Sequence, residues 1–291
     1  MGGMFGESKF DVLLKVPVGV KPKTILIRLP ATRQHVVDQM AQHGMELPVI
    51  FKPDLGERGW LVKKIQSAAD IDSYLTKINI PFLVQELVSL PLEFGVFYVR
   101  YPSEPKGRVT SIVGKEMLSV TGDGFMTLQE LILAKDRARL QWEILRITYQ
   151  NKLEDVIPRG EKIELVSIGN HCLGTKFLNA NHLITEKLSA SFDAISKQIE
   201  GFYFGRFDLR VASLEDLQEG RVMIMELNGC GAEPAHIYQP GSSILEATRV
   251  LFKHWSDIYR VSVENHQRGA AYLPFREARI IYKRFKALTD S

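Results

Sequence analysis

Apolar positions along this chain recur at two periods, and the changes of period mark out its elements. Thr24 to Leu29 reads as a short strand, after which Thr32 caps a helix running to about Gly44. Leu47–Lys52 and Trp60–Ile65 are predicted strands flanking a tight loop, DLGERG. Ser67 caps a helix whose apolar side is Ile71, Tyr74, Leu75 and Ile78, and Pro81–Val88 returns as a strand. Long strands follow at Phe94–Tyr101 and, after the turn-like SEPKG, at Arg108–Val120. Helices are expected over Thr127–Leu133 and Arg137–Tyr149, then a strand near Glu164–Ile168 and an irregular stretch, GNHCLGTKF.

Leu188, Phe192, Ile195 and Ile199 form one stripe of a helix that stops at Gly201. Tyr203–Val211 and Arg221–Leu227 are strands joined by a polar loop. The last long helix opens on a capping box, Ser243 with Glu246, and its core face is expected to be Ile244, Thr248, Leu251, Phe252 and Trp255. Strands and helices mix throughout, which implies an α+β or α/β fold.

Composition narrows the class. Of 291 residues, 45% are hydrophobic and 24% charged, values of a globular chain. No apolar run approaches the roughly 18 residues of a membrane helix, and MGGMFGESKF has neither the basic start nor the apolar core of a secretory signal. Gly6 stands where a myristoylation pattern wants Ser or Thr. A cytoplasmic protein with no membrane partner is expected. The net charge of +3 balances 37 basic against 34 acidic residues, so no nucleic acid partner is demanded. The one basic cluster, REARIIYKRFKAL, reads as an amphipathic helix that either docks on the surface or binds an acidic partner. Cys172 and Cys230 are far apart, without metal-ligand spacing, and read as packed thiols.

Candidate chemistry gathers on two strands. Side chains two apart share a face, so Arg206 pairs with Asp208 and Glu226 with Asn228, and an antiparallel hairpin would bring all four together. Two carboxylates and an amide carbonyl are the hard oxygen donors that magnesium takes, and Arg206 offers a permanent charge for a phosphate. A surface hairpin with alternating polar residues is the plain alternative. Lys52 ends an apolar strand just before Gly56 and Gly59, where it reads either as a phosphate contact or as a solvated strand end. The order, lysine before glycines with a strand next, is not that of a P-loop. Gln85, Glu86, Leu87 and Val88 could offer backbone groups to an adenine ring, with Glu93 for a ribose hydroxyl. The loop carrying His171 and Lys176 suits a substrate or phosphate contact.

This ordered set, with FGRFDLRV and VMIMELNGCGAEP as its most specific strings, resembles the ATP-grasp superfamily, in its D-alanine–D-alanine ligase-like, carboxylate–amine ligase branch. The resemblance runs from about Lys9 to about Trp255. It implies an α+β fold whose two lobes clamp ATP between antiparallel sheets. Residues 1–88 would form the smaller lobe with its glycine loop 53–59, 89–265 the larger lobe with the metal site, and 266–291 the basic C-terminal helix. It implies that Lys9 and Lys52 contact nucleotide, that Gln85, Glu86, Leu87 and Val88 form the adenine hinge, and that Glu93 takes the ribose. Lys115 would contact phosphate, Asp208, Glu226 and Asn228 would hold magnesium, with manganese as the substitute, and Arg206 would stabilise the transferring phosphoryl group.

The sequence departs from that branch in three places. It begins almost at the first nucleotide lysine, without the preceding domain that helps hold the carboxylate in that branch, so part of the usual substrate site is expected to be absent or supplied otherwise, by a second copy or another chain. Glu57 and Arg58 replace the usual serines of the glycine loop, placing an ion pair or a substrate-binding cation over the phosphates. GCGAEPAHIYQPG replaces the usual motif after ELN, with Glu233 and His236 candidates for the acceptor site. The implied reaction is ATP-dependent joining of a small-molecule carboxylate to an amine through an acyl phosphate. A regulatory ATP-binding protein without ligase activity, or a small-molecule kinase, is the alternative.

Overall fold

The computed structural model describes residues 6–56, 59–166, 169 and 174–289. The chain divides into two compact units, Met1–Gly114 with Asn179–Ser291, and Lys115–Leu178. The lobe boundary expected at residue 88 falls inside the first unit.

The first unit opens with helix α1 (Lys9–Lys15), capped by Ser8, and strand β1 (Thr24–Ile27). Helix α2 (Arg33–Gln42) starts on the Thr32 hydroxyl, which accepts from the His35 N–H. Strands β2 (Val49–Pro53) and β3 (Lys63–Ile65) and helix α3 (Ala68–Leu75) follow; α3 opens on a capping box of Ser67 and Asp70. Strand β4 (Phe82–Glu86) completes a four-stranded sheet of order β1-β4-β2-β3, with β1–β4, β2–β3 and β2–β4 antiparallel. Alternation along these strands buries Val49, Phe51, Phe82 and Val84 in a core with Val36, Met40, Ile71 and Tyr74 of the two helices. Lys52, Gln85 and Thr24 have the opposite parity and point away from that core.

The chain continues through β5 (Leu92–Val99) and β6 (Arg108–Glu116). It passes into the second unit and returns on a later strand, Lys176–Asn179. Within the second unit lie β7 (Ser119–Thr121), helices α4 (Leu128–Ala134), α5 (Asp136–Arg139) and α6 (Trp142–Thr148), and β8 (Lys162–Glu164), which pairs antiparallel with β7. These elements surround a small core that includes Leu128, Ile132 and Leu145. The returning strand is β9 (Lys176–Asn179), so the end of the expected irregular stretch, Lys176 and Phe177, is extended.

Helix α7 (Glu186–Lys197), strand β10 (Phe204–Val211), helix α8 (Leu214–Glu219) and strand β11 (Met223–Asn228) then build the second sheet, of order β11-β10-β5-β6-β9. The connection expected as a polar loop is α8: Ser213 caps its start and Gly220, in the left-handed conformation, ends it. One face of the sheet, with Phe94, Val96, Tyr98, Phe207, Leu209, Ile224 and Leu227, packs on Leu188, Phe192 and Ile195 of α7. The other face carries Gly95, Arg206, Asp208, Glu226 and Asn228.

Helix α9 (Ile244–Gln267) is longer than the apolar pattern implied and buries a different side. Its buried residues are His254, Asp257 and Val261, while Ile244, Thr248, Phe252 and Trp255 of the expected core face are exposed and Leu251 is intermediate. The reason is polar anchoring: Asp257 accepts a hydrogen bond from Tyr101 and an ion pair from Lys253, and the His254 ring packs against Phe97 and Phe204. Ser243 makes no side-chain cap hydrogen bond, so the expected capping box is not formed. The basic C-terminal segment is helical as α10 (Phe275–Thr289). No helix among the described residues is long and apolar enough to cross a membrane.

Candidate active site

The four residues of the two key strands meet as their spacing predicts. β10 and β11 pair antiparallel, with Arg206 opposite Asn228 and Asp208 opposite Glu226. Between Asp208 and Leu209 the register shifts, since Leu209 pairs with Ile224, which leaves Met225 as an extra residue on β11. This bulge has two effects. It lets Ile224 and Leu227, three residues apart, both face the α7 core while Glu226 and Asn228 face away. It also turns the Met225 carbonyl out of the ladder, where it accepts from Lys52 Nζ at 3.0 Å and Gln85 Nε2 at 3.3 Å.

Lys52 is thereby buried with no carboxylate bonded to it among the described residues. Its ammonium donates to Gln85 Oε1 at 3.0 Å as well as to Met225, which leaves a third donor. Gln85 in turn donates to Thr24 Oγ1 at 3.1 Å. Burial pushes the Lys52 pKa down to about 8; the Glu226 charge opposes that shift, the Lys9 charge adds to it, and Asp208 opposes it.

Asp208 is held by Arg206 in a two-toothed ion pair, Nε to Oδ1 at 3.1 Å and Nη2 to Oδ2 at 3.0 Å. Asn228 Nδ2 donates to the same Oδ2 at 3.0 Å, so its amide oxygen is turned elsewhere. Burial works against the Arg206 charge, but Asp208, with Glu226 and Glu233, offsets it and raises the pKa. Arg206 Nη1 also donates to the Glu233 carbonyl at 3.2 Å, which pins the loop after β11 over the sheet. The Glu226 side chain makes no hydrogen bond or ion pair among the described residues. Gly95 lies opposite Asp208 on β5; a Cβ there would come within 3.2 Å of Asp208 Oδ1 and Arg206 Cδ and within 2.8 Å of Val113 Cγ1.

The glycine loop is tied to α1 by an aspartate that sequence reasoning passed over. Asp54 Oδ1 accepts from Ser8 Oγ at 2.9 Å and from the Phe10 N–H at 3.0 Å, while its carbonyl accepts from the Lys9 N–H at 3.1 Å. Lys9 Nζ then donates to the Gly56 carbonyl. The only advance signal was the position of Asp54 at the start of a glycine loop.

A scan of protein-family models and a search of curated proteins give no match. Solved structures do match. A D-alanine–D-alanine ligase from Coxiella burnetii aligns at 7% identity and TM-score 0.49, over 90% of this chain and 59% of its own. The enzyme of the same name from Bacillus anthracis aligns at 11% and 0.46, over 89% and 68%. A bifunctional glutathione synthetase from Pasteurella multocida aligns at 17% and 0.41, over 86% of this chain. The chain spans 35% of the length of the glutathione synthetase.

The remaining expected site residues are distributed as follows. Glu93 is buried and accepts from Arg210 Nε at 2.9 Å. The Glu86 N–H donates to the Lys23 carbonyl at 2.9 Å, and Arg210 Nη1 donates to the Val88 carbonyl at 3.3 Å. Leu87 follows β4 directly. The side chain of Gln85 thus meets Lys52 and the Met225 carbonyl. His236 is buried and shares a 2.6 Å hydrogen bond with Ser111 through Nδ1; burial lowers its pKa. The Glu233 carboxylate accepts from Tyr238. Lys115, with its ammonium 6.0 Å from the Phe177 ring centre, and Lys176, 3.9 Å from Glu116, belong to the second unit. Arg58 and His171, like Glu57 and Cys172, lie outside the described residues. Cys230 is partly buried and unbridged. No group of three His, Cys, Asp or Glu side chains is gathered for a metal among the described residues; the candidate set is two carboxylates and one amide.

Proposed function

We propose that this chain is an ATP- and magnesium-dependent ligase that activates a carboxylate as an acyl phosphate for attack by an amine. The observation that carries the reading is the juxtaposition of Asp208 and Glu226 in direct register, with the buried Lys52 ammonium hydrogen-bonded one residue away at Met225. Carboxylates opposed on adjacent strands repel, and a divalent cation offsets that repulsion. The donor set fits magnesium: hard oxygens throughout, with the Glu226 carboxylate not bonded to another side chain among the described residues. Magnesium held by Asp208, Glu226 and the Asn228 amide oxygen would neutralise phosphate oxygens during transfer.

The chain's own groups do the rest. Lys52, with one donor in reserve and Gln85 fixing its direction, holds a phosphate as a point charge. Arg206 shifts part of its donation from Asp208 to the transferring phosphoryl group. The substrate carboxylate oxygen bonds to the γ-phosphorus as the bond to ADP breaks, and the amine then displaces phosphate from the acyl carbon. Positioning and electrostatics supply most of the acceleration in such transfers.

The two-toothed closure of Asp208 by Arg206 favours a second reading, an ATP-binding regulatory protein without ligase activity, because it already compensates one metal carboxylate. Trapping with hydroxylamine separates the readings. A screen of amino acids, short peptides and polyamine-like acceptors with MgATP is expected to yield a hydroxamate with at least one carboxylate. Tight ATP binding with no turnover across the panel supports the second reading, and a phosphorylated product stable to hydroxylamine supports a kinase.

A further inference from the structure

Helix α9 buries two polar residues, His254 and Asp257, beside Val261, and leaves its largest apolar side chains exposed. Leu245, Phe252 and Tyr259 are spaced by seven residues, with Thr248 and Trp255 between them, so they line one straight stripe. Leu245 and the adjacent Ile244 are each 83% exposed, Phe252 74%, Tyr259 72% and Trp255 50%. Single exposed apolar residues are ordinary on a protein surface, but a contiguous stripe is not.

The stripe has the size of an interface. An aromatic side chain presents roughly 150–250 Å², and three aromatics with two aliphatics at these exposures approach the ~800 Å² that each partner of a standard interface buries. Its length, about 22 Å at 1.5 Å per residue, is that of a short helix–helix seam.

We infer that this face is the contact between two copies of the chain, packed as antiparallel α9 helices about a twofold axis. The spacing is self-complementary, as a twofold interface requires. Leu245 and Tyr259 are equidistant from Phe252, so an axis at Phe252 sets Phe252 against its own counterpart. It also sets Leu245 against the second copy's Tyr259, and exposed Arg249 against the second copy's Trp255, a cation–π pairing. The seam thus matches its apolar positions and gives Arg249 an aromatic partner.

The full-length chain tests this. Sedimentation equilibrium across roughly 1–100 µM, the range that resolves a micromolar Kd, is expected to show a dimer. Phe252→Asp, at the centre of the seam, is expected to weaken it about 100-fold or more. In a Cys172→Ser, Cys230→Ser background, Phe252→Cys is expected to cross-link to itself with a short thiol reagent, whereas Leu140→Cys, at an exposed position in the second unit, is not. Should Phe252→Asp fail to fold, the cross-link decides alone. A monomer throughout that range overturns the inference, as does a dimer that Phe252→Asp leaves intact and Phe252→Cys does not cross-link. A chain that stays monomeric and instead sediments with anionic lipid vesicles also overturns it.

Discussion

Asp208 and Glu226 face each other across β10 and β11; among the described residues Asp208 is bonded by Arg206, while the Glu226 side chain lies in the field of Lys52 and Arg206 without a bond to either. Replacing Glu226 therefore acts differently on the free and the loaded protein. Like charges directly opposite on neighbouring strands cost roughly 0.2–1 kcal/mol, and the attraction of Glu226 to Lys52 and Arg206 opposes that cost, so Glu226→Gln should move the free protein's melting temperature by no more than about 3 °C. The same variant should lose the magnesium-dependent part of the stabilisation by ATP. Thermal melts with ATP alone and with MgATP check both; a full magnesium-dependent shift in the variant would remove Glu226 from the metal site.

Lys52 gives the fold a pH dependence of definite sign. Burial lowers its pKa from the ordinary lysine range to about 8, so between pH 8 and the unfolded value the unfolded chain binds the extra proton. Stability is reduced below pH 8 and recovers as pH rises through that window. Relative to Lys52→Met, and without nucleotide or metal, the wild type should gain on the order of 1 kcal/mol between pH 7 and 9. Urea unfolding at those two pH values measures it. A pH-independent difference between the two proteins would mean that Lys52 is solvated as an ordinary lysine.

Asp54 joins the glycine loop to α1 through Ser8 and Phe10. Asp54→Ala removes an acceptor from two donors and should cost about 1–3 kcal/mol. The loss should be local: amide exchange at Val12 and Leu13 should accelerate more than exchange in α7. Uniform acceleration throughout the first unit would show instead that the link is part of the global core.

These cases show what the sequence could express. Period-two alternation made the pairing of RFD with ELN legible, because direct register needs only that both strands exist and are antiparallel. The Met225 bulge was not legible, since one extra residue leaves no mark in composition, yet it aims Glu226 and frees the carbonyl that Lys52 takes. In Gln85 the side chain carries the interaction where the pattern suggested backbone. For α9 the period identified an apolar face correctly but not what covers it: a stripe states that a surface is apolar, while the partner is a property of tertiary packing. There His254 and Asp257 won the core through aromatic and hydrogen-bond partners far away in sequence.

Gly95 sets the floor under Asp208, and the contacts of a methyl group there predict a separable pair of effects. In Gly95→Ala the new Cβ lies 2.8 Å from Val113 Cγ1, a clash that side chains in a filled core cannot avoid, and 3.2 Å from Asp208 Oδ1 and Arg206 Cδ. Overpacking of this kind costs about 1–3 kcal/mol. Val113→Ala removes the clashing methyl groups, so the double variant should be more stable than the sum of the single losses by at least about 1 kcal/mol. MgATP binding should not recover with it, because the crowding of Asp208 and Arg206 remains. Recovery of stability and binding together would place the whole effect of Gly95 in packing against β6, and none of it in the carboxylate site.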